Sequence, residues 1–134
     1  MKKLFAAFCI LNIQLLCVQP ACAYLLPVPA YSADGSLYLE TDSIIRNGSS
    51  VGLTFVESFN QPRSYGSLSY LSKASDILLD CSAGRIFAVA ERFYSDSNLQ
   101  GSILGSFPLY DQFGSTPVVD SWSANLLNLG CATR

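Results

Sequence analysis

SDILLDCSAGRIFAVAERFYSD, residues Ser75 to Asp96, reads as two strands joined by a tight turn at Ser82-Ala83-Gly84. Alternation in its first half puts Ile77, Leu79 and Cys81 on one face and Asp76, Leu78 and Asp80 on the other, since successive strand side chains point to opposite sides. Cys81 therefore belongs to the apolar side, facing whatever covers the sheet. The second half, Arg85 to Tyr94, is apolar on both faces around Ile86 to Ala90, the pattern of a central strand covered on both sides.

Upstream of this hairpin, Tyr24 to Gly35 holds two prolines and no sustained period, and reads as an extended lead-in packed on the domain edge. Ser36 to Glu40 alternates as a short strand that continues to Arg46. Asn47-Gly48 then marks a type I′ hairpin turn, because both residues tolerate positive φ. The return strand, Val51 to Ser58, places Val51, Leu53 and Phe55 on one face. Phe59 to Gly66 reads as a polar, proline-containing loop, and Ser67 to Ser72 as a serine-rich strand.

Downstream, Ser95 to Gln100 is a polar loop, and Gly101 to Leu109 a last strand whose pairing ends at Pro108. Tyr110 to Val119 reads as loop. Asp120 or Ser121 then caps a helix running to about Leu129, with Trp122, Leu126 and Leu129 on one stripe and Gly130 placed to stop it. The expected class is α+β and mainly β: a single antiparallel sheet of five or six strands with a C-terminal helix on its apolar face.

The first 23 residues have a different character. Lys2-Lys3, an apolar run from Leu4 to Val18, Pro20 and Ala21-Cys22-Ala23 have the layout of a secretory signal peptide cleaved after Ala23. A retained anchor is the rival, but the run holds Asn12 and Gln14 and falls short of the roughly 20 apolar residues that spanning needs. Lipidation at Cys17 or Cys22 is a second alternative, and neither sits in a well-formed lipid-attachment sequence. The expected organisation is thus a signal at 1–23 and one domain at 24–134.

Cleavage removes three of the five cysteines and leaves Cys81 and Cys131. In an oxidising compartment a lone pair reads as a disulfide, here tethering helix to hairpin; two buried free thiols are the alternative. The mature domain carries Arg46, Arg63, Lys73, Arg85, Arg92 and Arg134 against ten acids, a net charge of −4. That balance gives no electrostatic footprint for nucleic acid or anionic membrane.

Chemistry is scarce. Histidine is absent, which removes the commonest general base and metal ligand and every Ser-His or Cys-His arrangement. Gly101 to Gly105 has no following lysine, so it is no phosphate loop. Asp76 and Asp80 on one strand and Glu91 on its partner are the carboxylates a glycosidase-type hydrolase or a calcium site would draw on. The plainer reading is charges on a solvated face. Tyr65, Tyr70, Phe93, Tyr94, Phe107 and Tyr110 lie at strands or their ends and divide between core cover and an exposed binding face. No cofactor, metal or catalytic residue is assigned.

Asp42-Ser43-Ile44, Ser69-Tyr70-Leu71-Ser72-Lys73, Asp80-Cys81, Tyr94, the lead-in from Pro117 to Ser121 and the terminal Cys131 together resemble the surface-adhesin protein E family of proteobacteria in order and spacing. The resemblance implies an antiparallel sheet with a C-terminal helix held across it by a disulfide. It also implies an outer-surface adhesin that binds host matrix or plasma proteins. The expected function is an exported, non-enzymatic binding module, periplasmic or at the cell surface, with a host-matrix or envelope protein as partner and no membrane span after cleavage. The alternatives are a carboxylate-based hydrolase of envelope polysaccharide and a structural envelope protein that pairs as a homodimer through a sheet edge.

Overall fold

The computed structural model describes residues 24–29 and 34–132; the expected signal segment lies outside them. Six strands form one antiparallel meander in the order β1-β2-β3-β4-β5-β6. They are β1 (Leu25–Pro27), β2 (Gly35–Asn47), β3 (Ser50–Tyr65), β4 (Leu68–Asp80), β5 (Arg85–Tyr94) and β6 (Ile103–Pro108), followed by one helix, α1 (Trp122–Ala132). The class read from the sequence is the class observed, and the lead-in supplies the short edge strand β1.

Register explains the core. Directly opposed residues share a face, so three apolar rows run across the inner side of the sheet: Val51–Leu79–Ile86, Leu53–Ile77–Ala88 and Leu39–Phe55. Helix α1 lies on these rows. Leu126 is fully buried there, Trp122 meets Phe55 with ring centroids 5.5 Å apart, and Leu127 and Leu129 pack beside them. Ser121 is the cap, its Oγ accepting from the Ala124 N–H at 3.2 Å. At the other end, the Arg46 guanidinium donates to the Gly130 carbonyl, placing a cation where the helix dipole is negative.

Cys81 and Cys131 are bonded, with their Cα atoms 5.7 Å apart and 50 residues between them in sequence. An eleven-residue helix is marginal alone. The bond holds its last turn to the end of β4, while Leu126 and Trp122 hold its first.

Four expectations are corrected. Gly130 does not stop the helix, which continues to Ala132. It is a packing glycine: a Cβ there would lie 2.4 Å from Leu79 Cδ1 and 2.8 Å from Leu53 Cδ2. Secondly, residues 59–66 are not a loop, because β3 runs on to Tyr65 and the serine-rich strand and the first half of the hairpin are one strand, β4. Pro62 is tolerated because register is lost between Ser58 and Arg63, so its missing N–H breaks no ladder bond. Thirdly, the β2–β3 turn is centred one residue later, on Gly48-Ser49, with Asn47 paired to Ser50 and positive φ only at Gly48. That φ pattern matches type II′ rather than I′. Finally, β5 is next to the sheet edge, not central, and its Val89 is exposed.

Candidate functional site

Beyond the helix, the inner face carries charge. The next row reads Leu37–Glu57–Lys73–Phe93–Gly105 across five strands. Lys73 Nζ lies 2.8 Å from Glu57 Oε2 and 2.9 Å from Glu91 Oε1, all three side chains largely buried. Burial alone would push the Lys73 pKa down; the two carboxylates outweigh it and hold the ammonium above the ordinary lysine value. Past this cluster Phe93 is buried among Tyr65, Tyr70 and Phe107, with centroids 4.7–5.8 Å away.

The sequence-predicted carboxylates are therefore dispersed. Asp76 sits on the outer face, where its Oδ1 accepts from Thr54 Oγ1 at 2.6 Å and Arg92 Nη2 at 2.7 Å. Asp80 is used by the turn: its Oδ1 accepts from Ser82 N, Ser82 Oγ and Ala83 N, and these bonds hold its pKa below the usual range. Glu91 is on the inner face, bound to Lys73. No shared cleft unites the three. Among the described residues no three His, Cys, Asp or Glu side chains converge on a metal position. Nor is any helix among them long and apolar enough to cross a membrane.

What the structure does build is an ordered loop with an apolar surface. After β6, the chain turns back along β5: Leu109 N–H donates to the Val89 carbonyl at 2.7 Å, and Ile86 and Ser115 exchange backbone bonds of 2.8 and 2.9 Å. Asp111 organises the bend. Its Oδ1 accepts from Gly114 N–H at 2.9 Å and Phe113 N–H at 3.2 Å, and its Oδ2 from Ala88 N–H at 3.4 Å. The bond from Gly114 is the chief reason its pKa lies below the ordinary value. Gly114 has φ +63°, and its Cα lies on the Phe87 ring, where a Cβ would come within 2.7 Å. Arg85 Nη1 donates to the Phe113 carbonyl at 3.1 Å, and Ser121 N–H to the Val118 carbonyl at 3.1 Å.

This scaffold leaves four large apolar side chains in solvent: Tyr110, Phe113, Val118 and Val119 are 76–86 % exposed. Of them, only Tyr110 figured among the sequence candidates. Loop residues of this kind read as ordinary core-seeking hydrophobes in a sequence, and only the fold shows that no other described residue covers them. A groove of about 320 Å³ separates the loop from α1, lined by Thr116, Pro117 and Val119 on one side and Ala124, Leu127 and Asn128 on the other.

The architecture is thus a small disulfide-stapled sheet whose loop after β6 presents apolar side chains to solvent. The chain belongs to the surface-adhesin protein E family, whose model matches residues 26–132. Among solved structures, Haemophilus influenzae protein E superposes with a TM-score of 0.63 at 17% identity, covering 85% of this chain and 87% of that one. A second crystal form of the same protein gives 0.61 at 18% identity, covering 82% and 97%. Protein E from non-typeable H. influenzae gives 0.61 at 17%, covering 84% and 80%. At such identities the likeness establishes the shared fold alone. No curated protein sequence matches the chain significantly. Family membership implies export and a cell-surface setting.

Proposed function

We propose that this chain is an exported, non-enzymatic binding module that holds a protein partner, with residues 1–23 acting as a cleaved signal. The observation that carries this reading is the loop from Tyr110 to Val119, which keeps four apolar side chains exposed on a backbone fixed at Asp111, Gly114 and Ser115. Fixing an apolar surface before encounter lowers the entropy cost of association, and aromatic anchors supply most binding energy per residue. The surface-adhesin family points to a host or envelope protein as partner.

The test is retention by the immobilised mature domain, using purified host matrix proteins and a cell-envelope extract. The same partner should be held by the wild type and lost by a Phe113→Ser/Val119→Ser variant with unchanged folding. Equal retention by both proteins, or none by either, contradicts the proposal.

A further inference from the structure

Between the 109–115 segment, β5 and the start of α1 the inner face opens into a cavity of about 150 Å³. Phe55, Ile77, Ile86, Leu109 and Trp122 form its walls, and the small side chain of Ala88 on β5 leaves the space. Its polar side chains are two acids, Glu91 and Asp111, and two serines, Ser75 and Ser115. Glu91 has Oε1 bound to Lys73, which leaves Oε2 for another donor. Asp111 is held ionised by its backbone bonds. Ser75, also lining the cavity, is 4% exposed and its Oγ has no hydrogen-bond partner among the described residues. Two cations lie nearby, Lys73 shared between Glu57 and Glu91 and Arg85 on the Phe113 carbonyl, and against Glu57, Glu91 and Asp111 the neighbourhood stays net negative.

We propose that this cavity binds a primary ammonium carried on an unbranched apolar stem. The stem would lie along Phe55, Ile86 and Trp122, and the ammonium would be held by Glu91 and Asp111 at the rim. Size and charge both select this class. Drug-sized ligands need roughly 300–1,000 Å³, so this space suits one side chain or a small amine. Anions are repelled by the rim and by the domain's net charge of −4, which draws cations in. A tryptophan wall is the aromatic neighbour that a cation prefers. The source is either a free alkylamine or a lysine side chain of the partner, the latter deepening the function proposed above and resting on it.

Trp122 is the chain's single tryptophan, so its fluorescence reports on the cavity directly. The mature domain would be titrated with n-hexylamine, n-hexanol, a capped lysine peptide and its norleucine analogue. The expected result is a saturable change with the amine, the lysine peptide or both, and affinity about tenfold weaker for each uncharged analogue, as loss of a charge-assisted contact implies. Response to both compounds places the recognition in the ammonium and stem that they share; response to the peptide alone assigns it to a protein partner, and to hexylamine alone to a free amine. Ala88→Leu should abolish the response, and Glu91→Gln should weaken it without changing the circular dichroism. No saturable change with either amine, or equal binding of the uncharged analogues, overturns the proposal. Neither result touches the loop variant's test, so the two readings fail separately.

Discussion

Gly130→Ala sets two effects of opposite sign against each other. Replacing a helical glycine by alanine is normally worth about 1 kcal/mol in a helix interior, and less at the third residue from the end, as here. Against this, the new Cβ would lie 2.4 Å from Leu79 Cδ1 and 2.8 Å from Leu53 Cδ2. Those leucines are 0% and 3% exposed and sit in paired central strands, so they have nowhere to turn. Nor can the helix lift, because the next residue is bonded to Cys81. Overpacking of this kind costs about 1–3 kcal/mol, so the net expectation is a loss of about 1–2 kcal/mol. Urea unfolding under non-reducing conditions reads it as a lower midpoint at unchanged slope. In a Cys81→Ser/Cys131→Ser background the helix can shift, and the same substitution should cost about 0.5 kcal/mol or less, a coupling that the double-mutant cycle isolates. Stabilisation by Gly130→Ala in the oxidised protein would refute the packing argument. An equal cost with and without the disulfide would refute the claim that the bond fixes the helix against the sheet.

The remaining expectations are simpler. Cys81→Ser/Cys131→Ser alone should lose about 2–4 kcal/mol, the upper figure being the chain-entropy value for a 50-residue loop; a loss below about 0.5 kcal/mol in urea titration would mean the tether is redundant. Lys73→Met leaves Glu57 and Glu91 facing each other without their shared cation, so it should destabilise the domain by about 3–5 kcal/mol at neutral pH and less as acid neutralises the carboxylates. Because the folded Lys73 pKa is raised, its contribution is complete below about pH 10.4 and is lost as pH climbs through the folded value; the wild type should show that alkaline decline and Lys73→Met a shallower one, the remainder coming from Tyr70, whose pKa burial also raises. Asp111 is shifted the other way, so its hold on the loop is complete above about pH 3.9 and is lost as pH falls through the lower folded value. The Gly114 amide resonance should follow that titration, and Asp111→Asn should abolish it.

The fold was legible where period alone decides it. Ile77 and Leu79 alternate cleanly with Asp76, Leu78 and Asp80 because at this end of β4 one face is buried and the other is partly exposed. Val51, Leu53 and Phe55 show their phase by apolar character even though Thr54 and Val56 on the opposite face of β3 are buried too. Trp122, Leu126 and Leu129 gave the helix for the same reason. Errors came where one residue type serves two physical roles. Pro62 reads as a loop marker, yet it falls in the one stretch of β3 without register partners. Gly130 reads as a helix stop, yet it is there to let α1 approach Leu79. The Glu57–Lys73–Glu91 cluster depends on register between three strands, which no local pattern specifies, although the Glu57 and Lys73 pairing follows once β3 and β4 are aligned. The exposed loop was the least legible part. Phe113, Val118 and Val119 carry the same sequence signal as buried residues, and their exposure is a property of the finished fold.

On the proposed reading this adhesin-family domain binds through the loop that follows β6, carried by a disulfide-stapled sheet. Side-by-side retention of one purified partner protein on wild-type and Phe113→Ser/Val119→Ser domains, both with the Cys81–Cys131 bond intact, tests it most directly. The wild type should retain the partner and the variant should bind it at least about tenfold more weakly, as expected when anchor side chains are removed. Undiminished binding by a folded, disulfide-bonded variant would contradict it.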